Sequence, residues 1–163
     1  MRKELIFSFL LLLILSFNKV EAQEIKHRLI LIGDAGEMNA GQMESIKSAV
    51  QHVLRDRTTT VFLGDNIYPT GMALPESPNY NQTSGILQSQ FQPMRQAGAS
   101  VYFLPGNHDC DKSGPDGLAK IQAQGQYLAS IGDPKLRMIP ADGCPDPIAI
   151  ELGDKLVMIA YDS

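Results

Sequence analysis

Three short apolar runs in this chain end in the same kind of punctuation, and that repetition constrains the fold more than any other feature. Arg28–Ile32 reads RLILI and stops at Gly33-Asp34-Ala35-Gly36. Thr59–Leu63 stops at Gly64-Asp65-Asn66, and Val101–Leu104 stops at Pro105-Gly106-Asn107-His108-Asp109. Short β-branched and apolar runs bounded by glycine and proline read as buried strands. Between them Met43, Ile46, Val50, Val53 and Leu54 recur at helical spacing, which predicts an amphipathic helix over 40–55. A weaker helical pattern covers 84–96 and is interrupted by Pro93; Leu118, Ile121, Leu128 and Ile131 mark a third helix that stops at Gly132-Asp133-Pro134. The segment IAIELGDKLVMIAYDS predicts a β-hairpin turning at Gly153-Asp154. Strands alternating with helices imply an α/β fold with a mixed, largely parallel sheet and flanking helices. In such sheets ligands bind beyond the carboxyl ends of the strands, where all three Gly-Asp or Gly-Asn segments fall.

The first 22 residues read as a separate element. Arg2 and Lys3 precede the apolar run Leu5–Phe17, and Val20-Glu21-Ala22 places small residues at the −3 and −1 positions of a cleavage site. This is the layout of a signal peptide removed after Ala22, leaving 23–163 as an exported domain in the periplasm, at the cell surface or secreted. As a helix the apolar run would span about 20 Å, less than the roughly 30 Å of a bilayer core, so no membrane span is expected in the mature chain. The net charge of −4 and the absence of a Lys/Arg cluster argue against a nucleic-acid partner. Both cysteines, Cys110 and Cys144, lie in the exported part, where an even count permits one disulfide; two buried thiols are the alternative.

Three consecutive strand ends therefore deliver Asp34, Asp65 and Asn107-His108-Asp109 to one edge of the sheet. Carboxylates gathered in a cleft repel one another unless positive charge lies between them. Oxygen donors with an imidazole suit transition-metal ions, and neighbouring glycines let the backbone turn and leave room for an ion or substrate. Two metals about 3.5–4 Å apart could share a bridging carboxylate and hold the attacking and leaving oxygens of a phosphoryl transfer.

The motifs GDAG, GDNIY and GNHD, in this order and at these separations, resemble those of the calcineurin-like metallophosphoesterase superfamily. Gly64-Asp65-Asn66-Ile67-Tyr68 further resembles the purple acid phosphatase branch. The resemblance implies an α/β/β/α sandwich of which this chain holds the N-terminal part, and a centre of two metal ions that hydrolyses phosphate esters. It implies Tyr68 and Asp34 as ligands of Fe(III), Asp65 as the bridging carboxylate, and Asn107 as a ligand of a divalent ion (Fe, Zn or Mn). His108 would face the substrate and either stabilise phosphoryl charge or protonate the leaving alkoxide, with Asp109 orienting its ring. Asn66 and Lys112 are further candidates for contact with the substrate phosphate. A Cys110–Cys144 bond would tether the His108 loop.

The family pattern also holds three later histidines, whereas this sequence has only His27, His52 and His108. His27 precedes the first strand and His52 falls mid-helix, so neither is expected to be a ligand. The expectation is an N-terminal fragment of a larger protein, with a C-terminal extension supplying the remaining ligands. The alternative is a non-catalytic exported metal- or ligand-binding module derived from that fold. A nucleotide-binding βαβ unit is disfavoured, because no Gly-x-Gly-x-x-Gly or P-loop follows a strand.

Overall fold

The computed structural model describes residues 24–143 and 147–161. Strands β1 (Arg28–Ile32), β2 (Thr58–Phe62), β3 (Ser100–Phe103) and β4 (Leu136–Met138) form a parallel sheet in the order β1-β2-β3-β4. Helices α1 (Ala40–Val50), α2 (Tyr80–Ala97) and α3 (Gly117–Ser130) connect them in turn. A separate antiparallel hairpin, β5 (Ile148–Leu152) and β6 (Leu156–Ala160), follows as expected.

Register decides which residues share a face. Ile32, Phe62 and Phe103 are aligned with Met138, and this row enters the large core with Ile46 of α1, Leu87, Phe91 and Met94 of α2, and Ile121 and Leu128 of α3. The rings of Phe62 and Phe103 stack across neighbouring strands at 4.6 Å and 11°. All three helices therefore lie on one face. The intervening row, with Val61 and Tyr102, points the other way and forms a smaller core with Leu152, Ala160 and the inward residues of the hairpin. Helices, parallel sheet and hairpin make three layers, an α/β arrangement that agrees with the expected class.

Three boundaries differ from the sequence reading. Helix α1 begins on Asn39, whose Oδ1 accepts from Gln42 N at 2.9 Å, but it ends at Val50 and not near Arg55. Beyond it, His52 and Val53 amides bond to carbonyls three residues back. Val53 still packs against the core from this tightened turn, so the apolar pattern outruns the helix. Helix α2 starts at Tyr80, ahead of the expected 84, since Asn81, Gln82 and Thr83 carry no apolar periodicity to read, and it accommodates Pro93 inside. Strand β4 was not expected: three residues with burial buried-exposed-buried, set between Pro134 and Pro140, are too short to show alternation.

The proposed leader, 1–22, and Cys144 lie outside the described residues. Among the described residues, no helix is long and apolar enough to cross a membrane.

Candidate metal centre

The carboxyl ends of β1, β2 and β3 lie side by side, and the loops that leave them interlock. Leu63 N donates to Ile32 O and Leu104 N to Phe62 O, at 2.8 Å each, so the ladder continues one residue past the strands. Asp34 and Asp65 then both take left-handed backbone, with φ of 53° and 54°. Non-glycine residues rarely adopt this conformation, and it costs on the order of 1–3 kcal/mol each. The same turn after β1 and β2 thus aims two carboxylates at one point.

Two glycines permit that close approach. A Cβ on Gly106 would overlap Asp65 N and Oδ1, and one on Gly36 would overlap the Asn66–Ile67 peptide. Gly36 N also donates to Asp65 O at 2.9 Å, joining the first loop to the second.

Tyr68 closes the cluster. Its hydroxyl lies 2.8 Å from Asp34 Oδ1 and 3.0 Å from Asp65 Oδ2, so one phenol proton is shared between two carboxylates. Burial first, and then these two carboxylates, push the Tyr68 phenol well above its ordinary pKa. The Tyr68–Pro69 peptide is cis. Phenol and carboxylate oxygens in mutual contact form a hard donor set of the kind that suits Fe(III) or another oxygen-seeking ion. A cation there would replace the shared proton and offset the two carboxylate charges that add to the effect of burial. Among the described residues there is no group of three or more His, Cys, Asp or Glu that could hold a metal ion; what meets here is two carboxylates and a phenol.

His108 is fixed by two contacts. Its amide donates to Asp65 Oδ1 at 3.0 Å, and its Nδ1 lies 2.7 Å from Pro69 O. A carbonyl only accepts, so the proton sits on Nδ1 and Nε2 is the nitrogen left for chemistry. The ring lies 4.2 Å from that of Tyr68, tilted by 46°.

This corrects the role expected of Asp109. Its carboxylate does not meet the His108 ring. It is fully buried and accepts from Gly106 N at 2.9 Å, from Asn66 N at 3.0 Å, from Asn66 Nδ2 at 3.1 Å and from Ile67 N at 3.2 Å. Burial pushes its pKa up to about 6, with the Asp65 charge adding and the backbone donors opposing. Asp109 ties the loop after β3 to the loop after β2, so Pro69 O takes the orienting role instead.

Asn66 is corrected as well. It is fully buried, and its amide donates to Leu104 O at 2.6 Å and to Asp109, so it is framework and not a substrate contact. Gln90 of α2 supports it, donating from Nε2 to Asn66 O at 2.8 Å. Asn107 is exposed, and among the described residues its carboxamide makes no hydrogen bond, which leaves it available as a ligand. Lys112 is exposed in a left-handed turn, and its ammonium meets no group of the cluster among the described residues. His27 Nε2 lies 3.0 Å from Thr59 Oγ1, away from the strand ends, and His52 is exposed. Gly153-Asp154 occupies the hairpin turn.

The sequence reading missed Lys120 of α3. Its Nζ lies 3.0 Å from Asp111 Oδ1 and donates to Thr70 O at 2.9 Å, bracing the turn after Asp109 against the loop after Tyr68. A lysine in an amphipathic helix carries no local signal of such a contact.

A family model described as calcineurin-like phosphoesterase matches residues 27–143, which contain every residue of this cluster. No curated protein and no solved structure matches the chain significantly.

Proposed function

The chain belongs to the calcineurin-like phosphoesterase family, and from that premise we propose that it is a metal-dependent hydrolase of phosphate esters of the purple acid phosphatase type. The family generally binds two metal ions. The observation that carries the finer reading is the Tyr68 hydroxyl set between Asp34 and Asp65. Asp34 and Tyr68 would hold Fe(III), Asp65 would be shared, and Asn107 would contribute to a divalent ion, Fe, Zn or Mn. When bound, the two ions supply a water of lowered pKa and neutralise phosphoryl oxygens. The chain's own part is to hold the ester and move a proton. His108, anchored through Nδ1–H on Pro69 O, presents Nε2 to the leaving oxygen and in its imidazolium form delivers a proton there. No side-chain nucleophile is required. Residues 1–22 are read as an export signal, which would place this chemistry outside the cytoplasm.

Titration of the purified chain with Fe(III) tests this reading through a visible phenolate-to-iron charge-transfer band. The expected result is a band in the wild type that is lost in Tyr68→Phe. Metal affinity in that variant should fall at least as far as for loss of an outer partner, about 10–100-fold. A band that survives in Tyr68→Phe, or no metal uptake, sinks the assignment.

A second reading has its own support. Among the described residues the divalent site would have Asp65 and Asn107 as its donors, with no group of three or more His, Cys, Asp or Glu beside them. A module that binds metal without turnover would take up Fe(III) or Mn²⁺ yet release no product from p-nitrophenyl phosphate.

A further inference from the structure

A cavity of about 430 Å³ opens beside the cluster, and Tyr68 and Pro69 form the wall the two share. We propose that this cavity receives the alcohol half of the ester, and that this half is an uncharged, polyhydroxylated ring: a free sugar or the ribose of a nucleoside. The proposal rests on the phosphoesterase reading for which end of the ester lies at Asp65.

Hydrolysis breaks the ester P–O bond, joins the oxygen of water to phosphorus and leaves a proton on the alcohol. On that reading the phosphoryl group lies at the ions that Asp34 and Asp65 would hold, so the alcohol must lie against a neighbouring wall. The volume falls in the range of about 300–1,000 Å³ typical of small-molecule pockets.

The lining decides the chemistry. Lys120 is its one charged residue, and Asp111 Oδ1 at 3.0 Å and Thr70 O at 2.9 Å already satisfy that ammonium. An anionic leaving group would find no unmatched cation there. Asn79 and Gln82, both exposed, are among its lining residues, and among the described residues neither carboxamide makes a hydrogen bond. A purely apolar ring would strip water from both amides without replacing its hydrogen bonds. Leu74 and Ile86, both half-buried, add apolar surface to the same lining. Hydroxyls around an edge and C–H groups on a face are what a sugar ring offers to such a mixture.

The test is a titration of the ¹⁵N-labelled, metal-free chain with methyl glucoside and with adenosine, both uncharged and free of phosphate. Amide shifts confined to the Thr70–Thr83 segment are expected, with millimolar affinity. Gln82→Ala should weaken binding by about 3–10-fold, the worth of one hydrogen bond, with an unchanged circular-dichroism spectrum and melting temperature. Shifts with the glucoside alone assign a sugar, and shifts with adenosine alone assign a nucleoside. Absence of shifts with both rings, or equal affinity in wild type, Gln82→Ala and Asn79→Ala, overturns the proposal. Release of p-nitrophenol from its phosphate by the Mn²⁺-loaded chain is measured in parallel. Ring binding without hydrolysis overturns the phosphoesterase reading and keeps the ring site, whereas hydrolysis without ring binding removes the ring site alone.

Discussion

Gly106 has no side chain, yet the position of Asp65 depends on it. A Cβ there would overlap the backbone nitrogen and Oδ1 of Asp65, and backbone cannot swing away as the tip of a long side chain can. Gly106→Ala should therefore push the loops after β2 and β3 apart. The expected cost is about 1–3 kcal/mol, the usual range for overpacking, together with weaker metal binding. Thermal unfolding and Fe(III) titration of the variant check both; an unchanged melting temperature and affinity would mean the loops have slack the geometry does not show. At this scale the sequence was legible where the motif is backbone punctuation. Asp34, Asp65 and Tyr68 converge because each leaves a strand end through a turn that its own glycines announce. It was not legible for His108 and Asp109. The resemblance implied that Asp109 orients the His108 ring, but neighbouring side chains on a turn point in different directions. One carboxylate went into the core while the imidazole found Pro69 O.

Between elements, one ion pair fixes how α2 meets the sheet's last strand. Arg95, in the final turn of α2, donates from Nε to Asp133 Oδ2 at 2.7 Å and from an Nη to Oδ1 at 3.0 Å. The side chains are 19% and 27% exposed, a partly shielded fork in which two parallel bonds give more than a loose surface pair. The Arg95 hydrogen bonds hold the Asp133 carboxyl below its ordinary range, with the Lys135 amide helping and burial opposing. A depressed carboxylate contributes stability that is present above its unfolded-state pKa and is lost as pH falls through the folded one. Asp133→Asn should thus cost about 1 kcal/mol at neutral pH. The gap between wild type and variant should close in acid, below the ordinary aspartate range. Denaturant midpoints measured across that range decide it; a gap that persists in acid would assign the loss to something other than the charge. The same region shows why β4 was invisible in the sequence. Leu136–Met138 is held by pairing with β3 and by the Leu136 amide on Asp133 O, neither of which three residues can encode locally. The hairpin, with five-residue strands and a Gly-Asp turn, carried enough local pattern to be read correctly.

For the molecule as a whole, the placement of that hairpin is a tertiary fact that no periodicity states. Alternation said that β5 and β6 have one apolar face. Only packing says that the face lies on Val61 and Tyr102, opposite the helices. Two substitutions on neighbouring stretches of the hairpin separate local propensity from this docking. Leu152 is 4% exposed and belongs to the smaller core, so Leu152→Ala should cost about 2–4 kcal/mol by removing buried carbons and leaving a void. Ile159 is 66% exposed on the outer face, so Ile159→Thr, which keeps the β-branch, should stay within about 0.5 kcal/mol. If the hairpin docks as described, Leu152→Ala shifts the single unfolding transition of the domain. If it were a loosely attached appendage, both variants would unfold with the wild-type midpoint, and hydrogen exchange in β5 would be fast in all three proteins. The contrast bears on the metal centre because Val61, in the strand whose end carries Asp65, is one of the residues the hairpin covers. Loosening the second layer should therefore reach the site through β2, as weaker Fe(III) binding in Leu152→Ala and unchanged binding in Ile159→Thr.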